Sequence, residues 1–181
     1  RTQSLTRPHI GLSLVDVATG ERRLLTRSDY SYDSNPSFEP SGNSVVFQEQ
    51  TWDYGGEIVR VNLDSLDHEH LGSGNNPVVS PDGTKILYDV DSRDGFGIGV
   101  MNSDGTWSDG GRPDSGTFAW SPDGRSYAFS RSSLPESPCL RREVWIVDLS
   151  QDSAGDARPT GVCGWLEDWG VSSLANFEGA V

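Results

Sequence analysis

Asn76–Asp89 reads NPVVSPDGTKILYD, and the same frame recurs upstream as NPSFEPSGNSVVFQ from Asn35 and downstream as GTFAWSPDGRSYAFS from Gly116. In each copy a short strand runs into a turn, Pro40-Ser41-Gly42, Pro81-Asp82-Gly83 or Pro122-Asp123-Gly124, and a second alternating strand returns. Proline presets φ early in such a turn, and glycine accepts the positive φ that follows. The three prolines stand at an interval of 41 residues. A fixed period of about 40 residues built from short strands marks propeller blades.

A second strand pair trails each hairpin: EIVRVNLDSLDHEHL from Glu57, IGVMNSDGTWSD from Ile98 and EVWIVDLSQDSAGDARPTGV from Glu143. Each unit therefore orders strand A, turn, strand B, loop, strand C, polar turn, strand D, which makes one four-stranded antiparallel blade. IGLSLVDVATGERRLLT from Ile10 matches only the C and D strands, and WLEDWGVSSLANFEG from Trp165 is read as supplying the missing inner strands. The expectation is an all-β fold: a small β-propeller of about four blades, one domain over 1–181. Its blade units are 35–75, 76–116 and 117–162, and its last blade is shared by 163–181 and 1–34. Closing one sheet with both termini removes exposed edges.

These residues resemble the TolB-like propeller family, whose repeat runs Trp-Ser-Pro-Asp-Gly, a short apolar strand, then an Ile-x-Val-x-Asp/Asn strand. The likeness is clearest at AWSPDGRSYAFS from Ala119 with REVWIVDL from Arg142 behind it, and it extends over about 150 residues. It implies the propeller fold and a range of roles, from binding proteins and periplasmic factors to peptidase accessory domains. Members of the family usually have six or more blades. The resemblance therefore leaves two arrangements open: a small ring closed alone, or a larger ring completed by another chain, monomer or dimer.

Composition narrows the function classes. Acidic residues number 27 against 14 basic ones, for a formal net charge of −13, which repels phosphate backbones and argues against nucleic-acid binding. No apolar run approaches the length of about 18 residues that a membrane span needs. Opening at Arg1 without an apolar leader, the sequence is read as a trimmed mature form or an excised segment. Cys139 and Cys163 flank the predicted C–D hairpin of the third blade symmetrically about Gln151, so the two thiols are expected to meet as a disulfide. A disulfide places the chain in an oxidising, extracytoplasmic compartment, whether periplasmic, secreted or cell-surface.

Strand order sorts the connections by end. A–B and C–D turns share one end of a blade, and B–C and D–A connections share the other. The second set is expected to be long, varied loops rich in aromatic and acidic residues, where rigid scaffolds carry function. From it come the candidate ligand-binding residues Tyr30, Tyr32, Asp33, Trp52, Asp53, Tyr54, Asp91, Asp94, Phe96 and Arg112. Arg131, Glu136, Arg141 and Arg142 extend the same face in the third blade. Flat aromatic faces beside carboxylates suit a protein or peptide partner, and also a glycan. Trp120 and Trp145 fall on alternating strand positions and are read as packing between blades.

Metal and catalytic readings are weaker. Asp89, Asp91 and Asp94 before Gly95 approach the spacing of a calcium loop, but the third carboxylate is one position late and position 12 is Val100. Asp67-His68-Glu69-His70 is read as a solvated outer strand. No Gly-x-Ser-x-Gly elbow, phosphate-cradling glycine loop or dinucleotide fingerprint occurs. The reading is a non-catalytic binding or scaffold propeller without a cofactor. The alternative on the same face is a carboxylate- or metal-dependent enzyme or a glycan-binding module.

Overall fold

A computed structural model describes residues 11–27, 31–51, 55–92, 95–112, 117–132, 135, 137–139, 141–149 and 157–166. For 31, 51, 91–92, 95–96 and 107–112 it is the backbone that is described. Every regular element among the described residues is a strand. β1 (Ser13–Val15) and β2 (Arg22–Leu24) form a two-stranded antiparallel sheet. β3 (Ser31–Phe38), β4 (Ser44–Thr51), β5 (Gly55–Asn62) and β6 (His68–Ser73) form a four-stranded meander in chain order. β7 (Asn75–Val79), β8 (Lys85–Ser92), β9 (Gly95–Asn102) and β10 (Trp107–Arg112) repeat it. So do β11 (Phe118–Trp120), β12 (Ser126–Ser132), β13 (Arg142–Asp148) and β14 (Arg158–Cys163). Three four-stranded sheets thus follow the two-stranded sheet of the N-terminal segment. The expected contributions of 1–10 and 167–181 to a shared blade lie outside the described residues.

The turn residues explain why the hairpins recur. Asp82 accepts hydrogen bonds from the Ser80 hydroxyl at 2.7 Å and from the Thr84 N–H at 3.0 Å, while Ser80 Oγ accepts the Lys85 N–H at 3.0 Å. Its counterpart Asp123 accepts from the Ser121 hydroxyl at 2.6 Å and the Arg125 N–H at 3.1 Å. Gly83 and Gly124 follow with φ of 73° and 69°, where a Cβ is disfavoured. In the first full sheet Glu39 replaces the serine, and its carboxylate instead pairs with Arg60 at 2.7 Å.

The chain divides into two compact units, 1–77 and 78–181. In the first, Leu12, Leu14 and Leu25 pack on Val45, Phe47, Val59, Val61 and Leu63 of the β3–β6 sheet. In the second, Leu87, Ile98 and Val100 of the β7–β10 sheet meet Trp120, Tyr127, Phe129, Trp145 and Val147 of the β11–β14 sheet. Trp120 and Trp145 therefore pack between sheets, as alternation predicted, and the Trp120 indole N–H donates to the Val78 carbonyl at 2.9 Å. Each fully buried aliphatic or aromatic side chain in these layers is worth about 1.5–3 kcal/mol.

The B–C connections differ from expectation. Asp91 and Phe96 are not loop residues: they lie opposite each other on β8 and β9, and the ladder runs on to Ser92 and Gly95. Likewise Thr51 pairs with Gly55 across the β4–β5 hairpin. Arg112 ends β10 opposite Ile98. Backbone pairing does not need apolar side chains, so a strand continues past the point where alternation gives way to polar residues. A longer B–C connection leads from Ser132 to Arg142 in the third full sheet.

Candidate functional site

In the first unit the B–C end of the β3–β6 sheet is closed by amides. Asn35 and Asn76 occupy equivalent repeat positions, each before proline and each with φ of 51°. Asparagine tolerates this left-handed region better than most residues, and at Asn35 the result is a register shift between Ser34 and Ser37. The buried Gln48 side chain sits between the two asparagines. Its Oε1 accepts from the Asn35 amide at 3.2 Å and the Asn76 N–H at 3.1 Å. Its Nε2 donates to Gln50 at 2.9 Å and to Asn75 Oδ1 at 2.8 Å. The Asn35 amide also reaches Asn76 Oδ1 at 2.5 Å. Glycine is required at position 56, since a Cβ there would stand 2.1 Å from Asn75 Oδ1. The equivalent pair in the third full sheet is smaller, Thr117 Oγ1 lying 3.1 Å from Ser130 Oγ.

Asp33 lies beside this network, opposite Glu49 in register and only 7% exposed. Its Oδ2 accepts the Thr26 hydroxyl, and Thr26 Oγ1 accepts the Leu12 N–H at 2.9 Å, tying the β1–β2 sheet to β3. Oδ1 is buried without a hydrogen-bond partner. Burial pushes the Asp33 carboxyl above its ordinary range, and the Glu49 charge adds to this, while the Thr26 hydrogen bond and His68 pull the other way. Tyr32, the preceding residue, is 38% exposed.

Of the predicted site residues, then, Tyr32 and Asp33 belong to one polar strand end, the first facing water and the second buried. Asp91, Phe96 and Arg112 lie at strand ends of the β7–β10 sheet. Tyr30, Trp52, Asp53, Tyr54 and Asp94 fall outside the described residues. So does the Asp94 ligand of the calcium reading, and among the described residues no three His, Cys, Asp or Glu side chains gather as a metal would require. In the Asp67–His70 run, His68 stands edge-on to Phe47 at 5.9 Å while Glu69 pairs with Arg60 at 2.7 Å.

A second cluster, at the B–C end of the β11–β14 sheet, was legible only in part. Cys139 and Cys163 are joined by a disulfide with a Cα–Cα distance of 5.2 Å. They do not meet as a cross-strand pair, however: Cys163 lies opposite Glu143, and Cys139 reaches it from the long connection. Buried Glu143 holds both sides, accepting the Ser137 hydroxyl at 2.7 Å and the Gly161 N–H at 3.1 Å. Two Arg–Trp stacks follow, Arg131 over Trp145 at 5.0 Å and Arg142 over Trp165 at 3.8 Å. Trp165 had been read as part of a closing strand. The available signal was its position just past Cys163, which anchors it beside the arginine-bearing connection.

Meanders of four antiparallel strands, repeated in order with tryptophans packed between sheets, define a β-propeller. Comparison with solved structures finds the same fold in propeller proteins, TolB-type proteins among them. TolB from Acinetobacter baumannii superposes with a TM-score of 0.65 at 20% identity, over 86% of this chain and 39% of that one. A TolB-type protein from Agrobacterium tumefaciens gives 0.60 at 22%, over 82% and 55%. The β-propeller domain of the trilobed protease from Pyrococcus furiosus, which has an open velcro topology, gives 0.56 at 19%, over 75% and 45%. This chain thus spans from about two fifths to just over half of the TolB-type chains. No protein-family model and no curated protein matches the sequence.

Proposed function

We propose that this chain is an extracytoplasmic β-propeller that recognises a protein or peptide partner at the B–C ends of its sheets and performs no chemistry of its own. The observation that carries the reading is the locked amide network around Gln48, next to exposed Tyr32. Side chains already fixed by hydrogen bonds lose little freedom on binding, so such a surface suits recognition. An exposed tyrosine at that end suits a protein interface. The disulfide supports an oxidising compartment. The TolB-like fold supports a platform role but does not choose the partner. We further take β1–β2 as the outer half of a fourth sheet completed by the C-terminal segment, so that one chain closes its own ring.

Cross-linking capture from the extracytoplasmic fraction of the native cells tests this. One defined partner is expected with the unaltered chain, and it is lost on Tyr32→Ala, Trp52→Ala or Tyr54→Ala at unchanged melting temperature. Equal capture by all variants, or turnover of a polysaccharide or peptide panel by the chain alone, would refute the reading.

A further inference from the structure

Beside the disulfide, a cavity of about 620 Å³ is lined by Pro138, Arg141, Arg142, Cys163, Gly164 and Trp165. In a chain of formal net charge −13 it concentrates two guanidinium groups, and its described lining contains no acid. The adjacent Glu143 is turned inward and 3% exposed, its carboxylate committed to Ser137 and Gly161. Among the described residues no carboxylate pairs with Arg141 or Arg142. The Arg142 guanidinium lies 3.8 Å over the Trp165 ring and donates through Nη1 to the Ser130 carbonyl at 3.4 Å. Those two contacts hold the plane of a guanidinium that itself lines the cavity. Trp165 is 64% exposed. The disulfide and the Gly164 N–H bond to the Arg142 carbonyl, at 3.0 Å, hold the cavity wall.

We infer that this cavity binds a carboxylate carried on a peptide segment of a partner. Arg142 and Arg141 receive the carboxylate, and Trp165 with Pro138 packs the side chain next to it. A stacked guanidinium keeps the planar fork that matches a carboxylate through two parallel N–H···O bonds. The apolar rim of Pro138 and Trp165 requires more than a bare anion, and a carboxylate with an apolar neighbour meets both halves. The site rests on the proposed peptide-binding role and adds to it a location and a ligand chemistry. The carboxylate has two possible sources, a chain terminus and an acidic side chain.

The test is a titration of the intact, oxidised chain with N-acetyl-Gly-Asp-Gly-Phe, followed through the Trp165 indole and Arg142 Nε resonances. Saturable shifts are expected, with affinity at least about tenfold weaker in Arg142→Gln, Arg141→Gln and Trp165→Ala and on raising the salt to about 0.5 M, which screens charge. The C-terminally amidated peptide and its Asp→Asn counterpart identify the source: whichever change abolishes binding removes the recognised carboxylate. No shift at millimolar peptide overturns the site, as does equal binding by both neutralised peptides or unweakened binding by folded Arg142→Gln and Trp165→Ala. A galacturonate oligomer that binds where the peptides do not overturns the peptide assignment. An inert cavity together with partner loss in the Tyr32, Trp52 and Tyr54 variants sinks this inference alone and leaves the broader surface standing.

Discussion

The first unit, residues 1–77, and the second, residues 78–181, fill one 41-residue template in opposite ways. Both use the same apolar triplet on strand B, Val45-Val46-Phe47 in one and Tyr127-Ala128-Phe129 in the other, and both bury it completely or nearly so. The position after the triplet differs. In the first unit it is Gln48, which organises Asn35, Asn75 and Asn76. In the second sheet of the other unit it is Ser130, with only Thr117 across from it, and the packing weight shifts to Trp120, Tyr127, Phe129 and Trp145. The lesson is a division of labour: turns and alternation build the sheet, while the residue just beyond the apolar layer decides whether its end is a polar surface or an aromatic one.

Four changes test that division, in falling order of effect. Phe129→Ala empties a fully buried aromatic site and is expected to cost about 3–5 kcal/mol in denaturant unfolding. A cost near 1 kcal/mol would mean the aromatic layer is not what holds the second unit. Removing the disulfide with Cys139→Ala and Cys163→Ala is expected to cost about 2–4 kcal/mol, the closed loop being 24 residues apart in sequence. Hydrogen exchange should place the damage in residues 137–163. Gln48→Ala removes the four hydrogen bonds of a buried side chain and is expected to cost about 1–3 kcal/mol. A loss as large as that of Phe129→Ala would erase the contrast between the units.

The smallest effect concerns pH. The folded protein raises the Asp33 pKa, so the protonated form is the one the fold favours. Its contribution is whole below the ordinary carboxylate range and is lost as pH rises through the raised value. Asp33→Asn abolishes that titration. The wild-type melting temperature should therefore fall relative to the variant as pH rises above the ordinary carboxylate value of about 4, and parallel curves would show that Asp33 carries no such linkage.

Much of the fold was readable because its determinants are local. Pro81-Asp82-Gly83 and Pro122-Asp123-Gly124 need only their own neighbours, Ser80 and Ser121, to close the turn. The alternation of β13, with Glu143, Trp145 and Val147 buried and their neighbours less so, was equally visible. Strand ends were not, because Asp91 and Phe96 are held by ladder hydrogen bonds that carry no side-chain signature. The site was half legible. Tyr32 is exposed, but Asp33 is buried because Thr26, two residues past the end of β2, hydrogen-bonds to it from a part of the chain that local pattern does not connect to β3. The Arg142–Trp165 stack depends on a disulfide whose pairing was foreseen while its geometry, reached through Glu143, was not.

The proposed ring closed by one chain is tested most directly by light scattering coupled to small-angle X-ray scattering on the oxidised protein. The account predicts a concentration-independent mass of 19.7 kDa and a radius of gyration of about 16 Å, the value for a compact domain of this length. An obligate dimer, or a monomer markedly more extended than that, would contradict closure within a single chain.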